Sequence, residues 1–113
     1  MIKVYHNPRC RKSREALNFL EENNLDFEVV LYLNESLSEA ELSELIKKLN
    51  IAPISLIRQE ESIWKTQYKD KNLDNTALIR LMIEEPRLMQ RPVVVVDNKA
   101  VIARPTEAIN DLF

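Results

Sequence analysis

The chain has no glycine among its 113 residues, and that absence limits it more than any motif it carries. Phosphate-cradling loops of the form G-x-G-x-x-G or G-x-x-x-x-G-K-[ST] need residues without a Cβ, so that main-chain amides can close on the phosphate. Neither loop can occur here, and the nucleotide enzymes built on them are excluded. Left-handed turns fall instead to Asn and Asp, whose short polar side chains tolerate that conformation. The chain has one cysteine and one histidine. It can form no intrachain disulfide and no C-x-x-C pair, and it lacks the ligands of a zinc finger or a His-rich metal site.

The length suits one domain spanning residues 1–113. With 45% hydrophobic and 30% charged residues, the composition is that of a soluble globular protein. Eighteen acidic and 16 basic side chains leave a net charge of −2. Bulk electrostatics therefore predicts no nucleic acid and no membrane partner. The longest apolar run, Val93–Val96, is far short of the roughly 20 residues of a membrane helix. The opening MIKVYHNPRC turns polar too early for a signal peptide. A lone thiol fits a reducing compartment, so a cytoplasmic location is expected.

Ile2-Lys3-Val4-Tyr5 alternates apolar and polar residues and predicts a strand that Asn7-Pro8 ends. Helical spacing of Ala16, Leu17 and Leu20 follows, with Asn23-Asn24 as a stop. Residues 27–33 read as a second, buried strand. Ser38 and Glu41 have the form of a capping box ahead of Leu42, Leu45, Ile46 and Leu49. Pro53 opens a short helix expected to reach Arg58, Ile63-Trp64 starts another, and Asp74 caps a third that ends before Pro86. Trp64 and Tyr68 are expected to pack this helical segment rather than bind a ligand. Val93–Val96 and residues 100–102 flank Asp97-Asn98-Lys99 and predict an antiparallel hairpin, with a last helix from Pro105-Thr106. The sum is βαβ, a helical insertion over about residues 38–90, then ββα. This predicts an α/β fold: one mixed sheet flanked by helices.

The chemistry concentrates at Cys10, where the first strand hands over to the first helix. Unpaired amides and the positive end of the helix dipole meet there. Residues 1–14 hold five basic side chains and no acid. Four of these, Arg9, Arg11, Lys12 and Arg14, lie within four positions of the sulfur. Each influence is expected to favour thiolate over thiol, and the Ser13 hydroxyl is expected to face the sulfur across one turn. A lone intracellular cysteine is most often a small buried hydrophobe, but Arg-Cys-Arg-Lys is a poor setting for one. A cysteinyl-phosphate mechanism is excluded by spacing. It needs C-x5-R, and the arginine position is occupied by Ala16.

His6-Asn7-Pro8-x-Cys10-x-x-Ser13 resembles the signature of the glutaredoxin-dependent arsenate reductase family, within the thioredoxin-like superfamily. Leu56-Ile57-Arg58, Arg91-Pro92-Val93-Val94 and Arg104-Pro105-Thr106-Glu107 resemble its other markers, in the family's order. The resemblance covers essentially the whole chain and implies a thioredoxin-like mixed sheet. It implies Cys10 as nucleophile, with His6 and Ser13 tuning or supporting it, and Arg58, Arg91 and Arg104 binding the oxyanion. It also implies a cis-proline at Pro92. The implied reaction is attack of Cys10 on arsenate, resolution of the adduct by glutathione and glutaredoxin, and release of arsenite. With one cysteine the chain must borrow the resolving thiol from outside.

Arsenate, glutathione and glutaredoxin are thus the expected partners of a monomeric protein. Glutathione is a co-substrate, and no tightly bound cofactor is implied. The basic cysteine loop departs from the family's usual small residues, and Arg9, Arg11 and Lys12 could strengthen anion capture or select a different anionic partner, such as glutathione itself. Taken singly, each arginine could be an ordinary surface charge, and His6 could be structural. Two other functions remain open. One is a glutathione-linked thiol oxidoreductase without arsenate activity. The other is an RNA-polymerase-binding redox regulator, although Ser13 occupies the position where such regulators carry the second cysteine of a C-x-x-C switch.

Overall fold

A computed structural model describes residues 1–113. Its regular elements are β1 (Ile2–Tyr5), α1 (Arg11–Glu22), β2 (Phe27–Val30), α2 (Glu39–Leu49), α3 (Asn75–Glu84), β3 (Val93–Val96) and β4 (Lys99–Ile102). The chain divides into two compact units. One joins Met1–Glu35 to Arg91–Phe113, and the other is Ser36–Gln90.

The first unit holds the four-stranded sheet, in the order β2-β1-β3-β4. β1 runs parallel to β2 and antiparallel to β3, and β3 forms a hairpin with β4. Val96 pairs with Lys99, which leaves Asp97-Asn98 as a two-residue turn. Asp97 takes the left-handed conformation at φ 53°, as Asn24 does after α1 (φ 57°) and Asn50 after α2 (φ 55°). Every positive-φ position is therefore an Asn or Asp, the residues that accept it most readily in place of glycine.

Alternation along β1 buries Ile2 and Val4 and exposes Lys3. These side chains and Val94 meet Ala16 and Leu20 of α1, with Ala103, Ile109 and Leu112 completing the cluster. The helix spacing anticipated from Ala16 and Leu20 is thus the face that docks α1 on the sheet. That docking holds the start of α1 just beyond the end of β1.

Several segments differ from expectation. β2 is shorter than residues 27–33 and is not buried. It is an edge strand with Glu28 and Val29 exposed, and only Tyr32 beyond it is sealed. A Val- and Leu-rich run reports β preference, whereas edge position is set by which strands find partners. The final helix is a 3-10 segment, Thr106–Leu112.

The second unit is helical. Both halves of the Ser38–Glu41 capping box are formed, and the Asp74 side chain accepts from the Ala77 amide. α3 packs against α2 and against 3-10 turns at Pro53–Leu56 and Pro86–Leu88. The turn opened by Pro53 therefore stops before Arg58. The segment after Ile63 is a π-helical turn, Trp64–Tyr68, in which buried Trp64 stacks on Tyr68 at 6.5 Å. Main-chain hydrogen bonds from Arg58 to Leu88 and from Gln90 to Leu56 close the unit.

Leu20 has no exposed surface, so Leu20→Ala should remove about 2–5 kcal/mol of stability. Urea unfolding measures it; a loss below about 0.5 kcal/mol would contradict this packing.

Candidate functional site: a thiolate at the first helix N-terminus

Cys10 is the N-cap of α1, with extended backbone at φ −93° and ψ 122°. The loop leading to it is organised by Asn7. The Asn7 amide donates to Ser13 Oγ at 3.0 Å, and Asn7 Oδ1 accepts from the Arg9 amide at 3.0 Å. The Asn7 carbonyl accepts from the Cys10 amide at 3.0 Å, and the Cys10 carbonyl accepts from the Arg14 amide at 3.1 Å. Asn7 and Ser13 are both buried. The Ser13 hydroxyl is thus an acceptor that braces the loop. The backbone amide of Ser13 is what acts on Cys10. Asn7 was the residue missed as an organiser. Its position in an Asn-Pro turn directly after a strand was the available signal.

Cys10 is half-buried. Burial alone pushes its thiol up. The Ser13 amide, the hydrogen bond and charge of Arg91, and the Lys12 amide together outweigh that and hold the thiol below its ordinary range. The sulfur forms no cap hydrogen bond of regular geometry, so the amides act chiefly as oriented dipoles at the helix end. Because ionisation is easier folded than unfolded, the thiolate adds stability above the ordinary thiol pKa. That stability fades as pH falls through the folded-state value.

The cations that flank Cys10 in sequence are not the ones that ionise it. Arg11 Nε pairs with Glu15 Oε1 at 3.3 Å, and Lys12 Nζ with Glu15 Oε2 at 3.5 Å. Arg14 Nη1 donates to the Pro8 carbonyl at 2.9 Å, and Arg9 is exposed. Lys12 contributes through its amide, and the guanidinium at the sulfur comes from Arg91. Successive residues in the first turn of a helix point in different directions, so closeness in sequence does not bring charge to the sulfur.

Arg91-Pro92 is a cis peptide, as the resemblance implied, and Arg104-Pro105 is also cis. Arg104 Nη1 donates to the Arg91 carbonyl at 3.3 Å. Thr106 Oγ1 donates to Glu15 Oε2 at 3.4 Å, which ties this corner to α1. His6 is buried at the end of β1. Its amide donates to the Val30 carbonyl at 3.0 Å, and its Nδ1 has no hydrogen-bond partner. Burial, and then the charge of Arg14, lower its pKa, so the imidazole is neutral near pH 7. Arg58 belongs to the second unit. There its Nη1 donates to Glu61 Oε1 at 2.8 Å and its Nε lies 3.4 Å from Glu60 Oε1. Of the six residues anticipated, the structure brings Arg91 to Cys10 and Arg104 to Arg91. It gives Ser13 a bracing role and His6 a main-chain link to β2.

A single activated thiol at the strand-to-helix corner of a βαβ sheet, facing an arginine that precedes a cis-proline, defines a thioredoxin-like protein with a one-cysteine site. The chain belongs to the ArsC family, whose model matches residues 5–112. It is 45% identical over 113 residues to YfgD of Escherichia coli K12, an uncharacterised protein, covering 98% of this chain and 95% of that one. It is 42% identical over 110 residues to the arsenate reductase of Neisseria meningitidis Z2491, covering 96% of this chain and 94% of that one. The arsenate reductase of Vibrio cholerae superposes with a TM-score of 0.93 at 35% identity, over 99% of this chain and 97% of that one. The thioredoxin-like α/β fold expected from the motifs is the fold of the chain.

Two outcomes test this geometry. Arg91→Ala should raise the pH midpoint of Cys10 alkylation by iodoacetamide, while Arg11→Ala should leave it in place; equal shifts would refute the assignment. Ser13→Ala strands the buried Asn7 amide and should cost about 1–3 kcal/mol in a denaturant titration, and an unchanged midpoint would count against the brace.

Proposed function

We propose that the protein is an arsenate reductase that works through Cys10. The supporting observation is that Arg91 and the first amides of α1 favour the thiolate. An oxyanion approaching a thiolate is repelled unless nearby guanidinium groups offset the charge. Arg91 and Arg104 are joined through the Arg91 carbonyl and are suited to that role. Arg58 is assigned to it by family resemblance. His6, neutral and next to the loop, is assigned a supporting role on the same basis.

In this reading the Cys10 sulfur attacks arsenic, an As–S bond forms, and an As–O bond breaks, its oxygen leaving as water after protonation. Glutathione then displaces a second oxygen from arsenic, forming an As–S bond as that oxygen leaves as water. A glutaredoxin thiol captures the glutathione sulfur as a mixed disulfide. The two sulfurs supply the two electrons that take arsenic from the pentavalent to the trivalent state. Water then displaces the Cys10 sulfur from trivalent arsenic, so the As–S bond breaks, arsenite departs and Cys10 is regenerated. The chain has no second thiol, so both reducing sulfurs come from outside. Glutathione is a co-substrate, no bound cofactor takes part, one copy of the chain suffices, and the cytoplasm supplies the reductants.

Purified protein with glutathione, glutaredoxin and millimolar arsenate should release arsenite, and Cys10→Ser should abolish release. Thiol exchange without arsenite formation in the wild type would replace this reading by a glutathione-linked oxidoreductase.

A further inference from the structure

The basic residues around Cys10 contribute little to ionising it, which leaves their role open. Arg9 and Arg14 are exposed, and the Arg11 side chain is 85% exposed despite its ion pair with Glu15. Arg11 and Arg14 stand three residues apart in the first turns of α1, on neighbouring parts of the helix surface. Arg14 folds back onto the Pro8 carbonyl, which sets it against the loop that carries Arg9. Arg104 is exposed beside Arg91. One carboxylate, Glu15, is shared between Arg11, Lys12 and Thr106 and offsets only part of this charge. The chain as a whole carries −2, so the basic surface is local to the sulfur.

We infer that Arg9, Arg11 and Arg14 form a docking surface for the acidic face of a protein thiol reductant that delivers its sulfur to Cys10. The proposal rests on the redox reading above and deepens it by naming the charge its protein partner must present. A small anion would need the one or two guanidinium groups nearest the sulfur. Three exposed arginines spread over a loop and the first helical turns, Arg14 among them held against the Pro8 carbonyl, suit a surface of opposite sign. Charges within about one Debye length, roughly 8 Å at physiological salt, act together on an approaching partner. Such fields raise association rates by about 10- to 1000-fold.

The test uses Cys10 converted to its mixed disulfide with thionitrobenzoate, so that no arsenate is needed. An incoming thiolate breaks that disulfide, forms a new one and releases coloured thionitrobenzoate. Rates are compared for a glutaredoxin of net negative charge and for β-mercaptoethanol, whose only charge is that of the attacking thiolate, in wild type and Arg9→Glu/Arg11→Glu, with folding checked by circular dichroism. The glutaredoxin rate should fall about tenfold or more in the variant and also on raising salt in the wild type. The β-mercaptoethanol rate should change less than about twofold. Equal responses of the two thiols, or a glutaredoxin rate indifferent to both charge and salt, would overturn the docking surface. Charge-dependent exchange in a protein that never releases arsenite would keep the docking surface and remove arsenate as the substrate.

Discussion

The site depends on a contest at one sulfur. Burial at the start of α1 works against ionising Cys10, whereas oriented amides and the Arg91 guanidinium work for it. The second set wins because its members are fixed. The amides belong to a helix docked by Ala16 and Leu20, and Arg91 is separated only by Pro92 from a strand hydrogen-bonded to β1. Fixed dipoles stabilise a charge without having to reorganise around it.

The rest of the first unit serves to hold those groups in register. Asn7 and Ser13 set the cysteine loop through buried main-chain and hydroxyl contacts. Arg91 lies just before β3 and Arg104 just after β4, at the open end of the hairpin, and a hydrogen bond joins the two. Glu15 ties the last 3-10 segment to α1 through Thr106 while drawing Arg11 and Lys12 to itself. The same carboxylate thus anchors the corner and keeps two cations occupied.

Much of the fold was legible because its signals are local. Apolar alternation in β1, the Ser38–Glu41 box, the Asp74 cap and the Asp97-Asn98 turn each depend on a few adjacent residues, and each formed. The edge character of β2 and the π-helical turn at Trp64 were not legible, since both depend on what packs alongside. The site divides in the same way. Cys10 stood out from its own neighbours, and Arg91 from its place in a motif. Which cation reaches the sulfur is a matter of three-dimensional direction, so Arg11 and Lys12 were credited with an effect that Arg91 supplies. Ser13 was read by its hydroxyl, whereas its amide acts on the sulfur.

The central claim concerns the ionisation of a single atom, and the chain has only one thiol to report it. Thiolate absorbs in the ultraviolet where thiol does not, so a pH titration of the native protein, corrected with Cys10→Ala, reads that atom alone. The account predicts a midpoint clearly below the free-cysteine value of about 8.5; a midpoint at or above that value would contradict it.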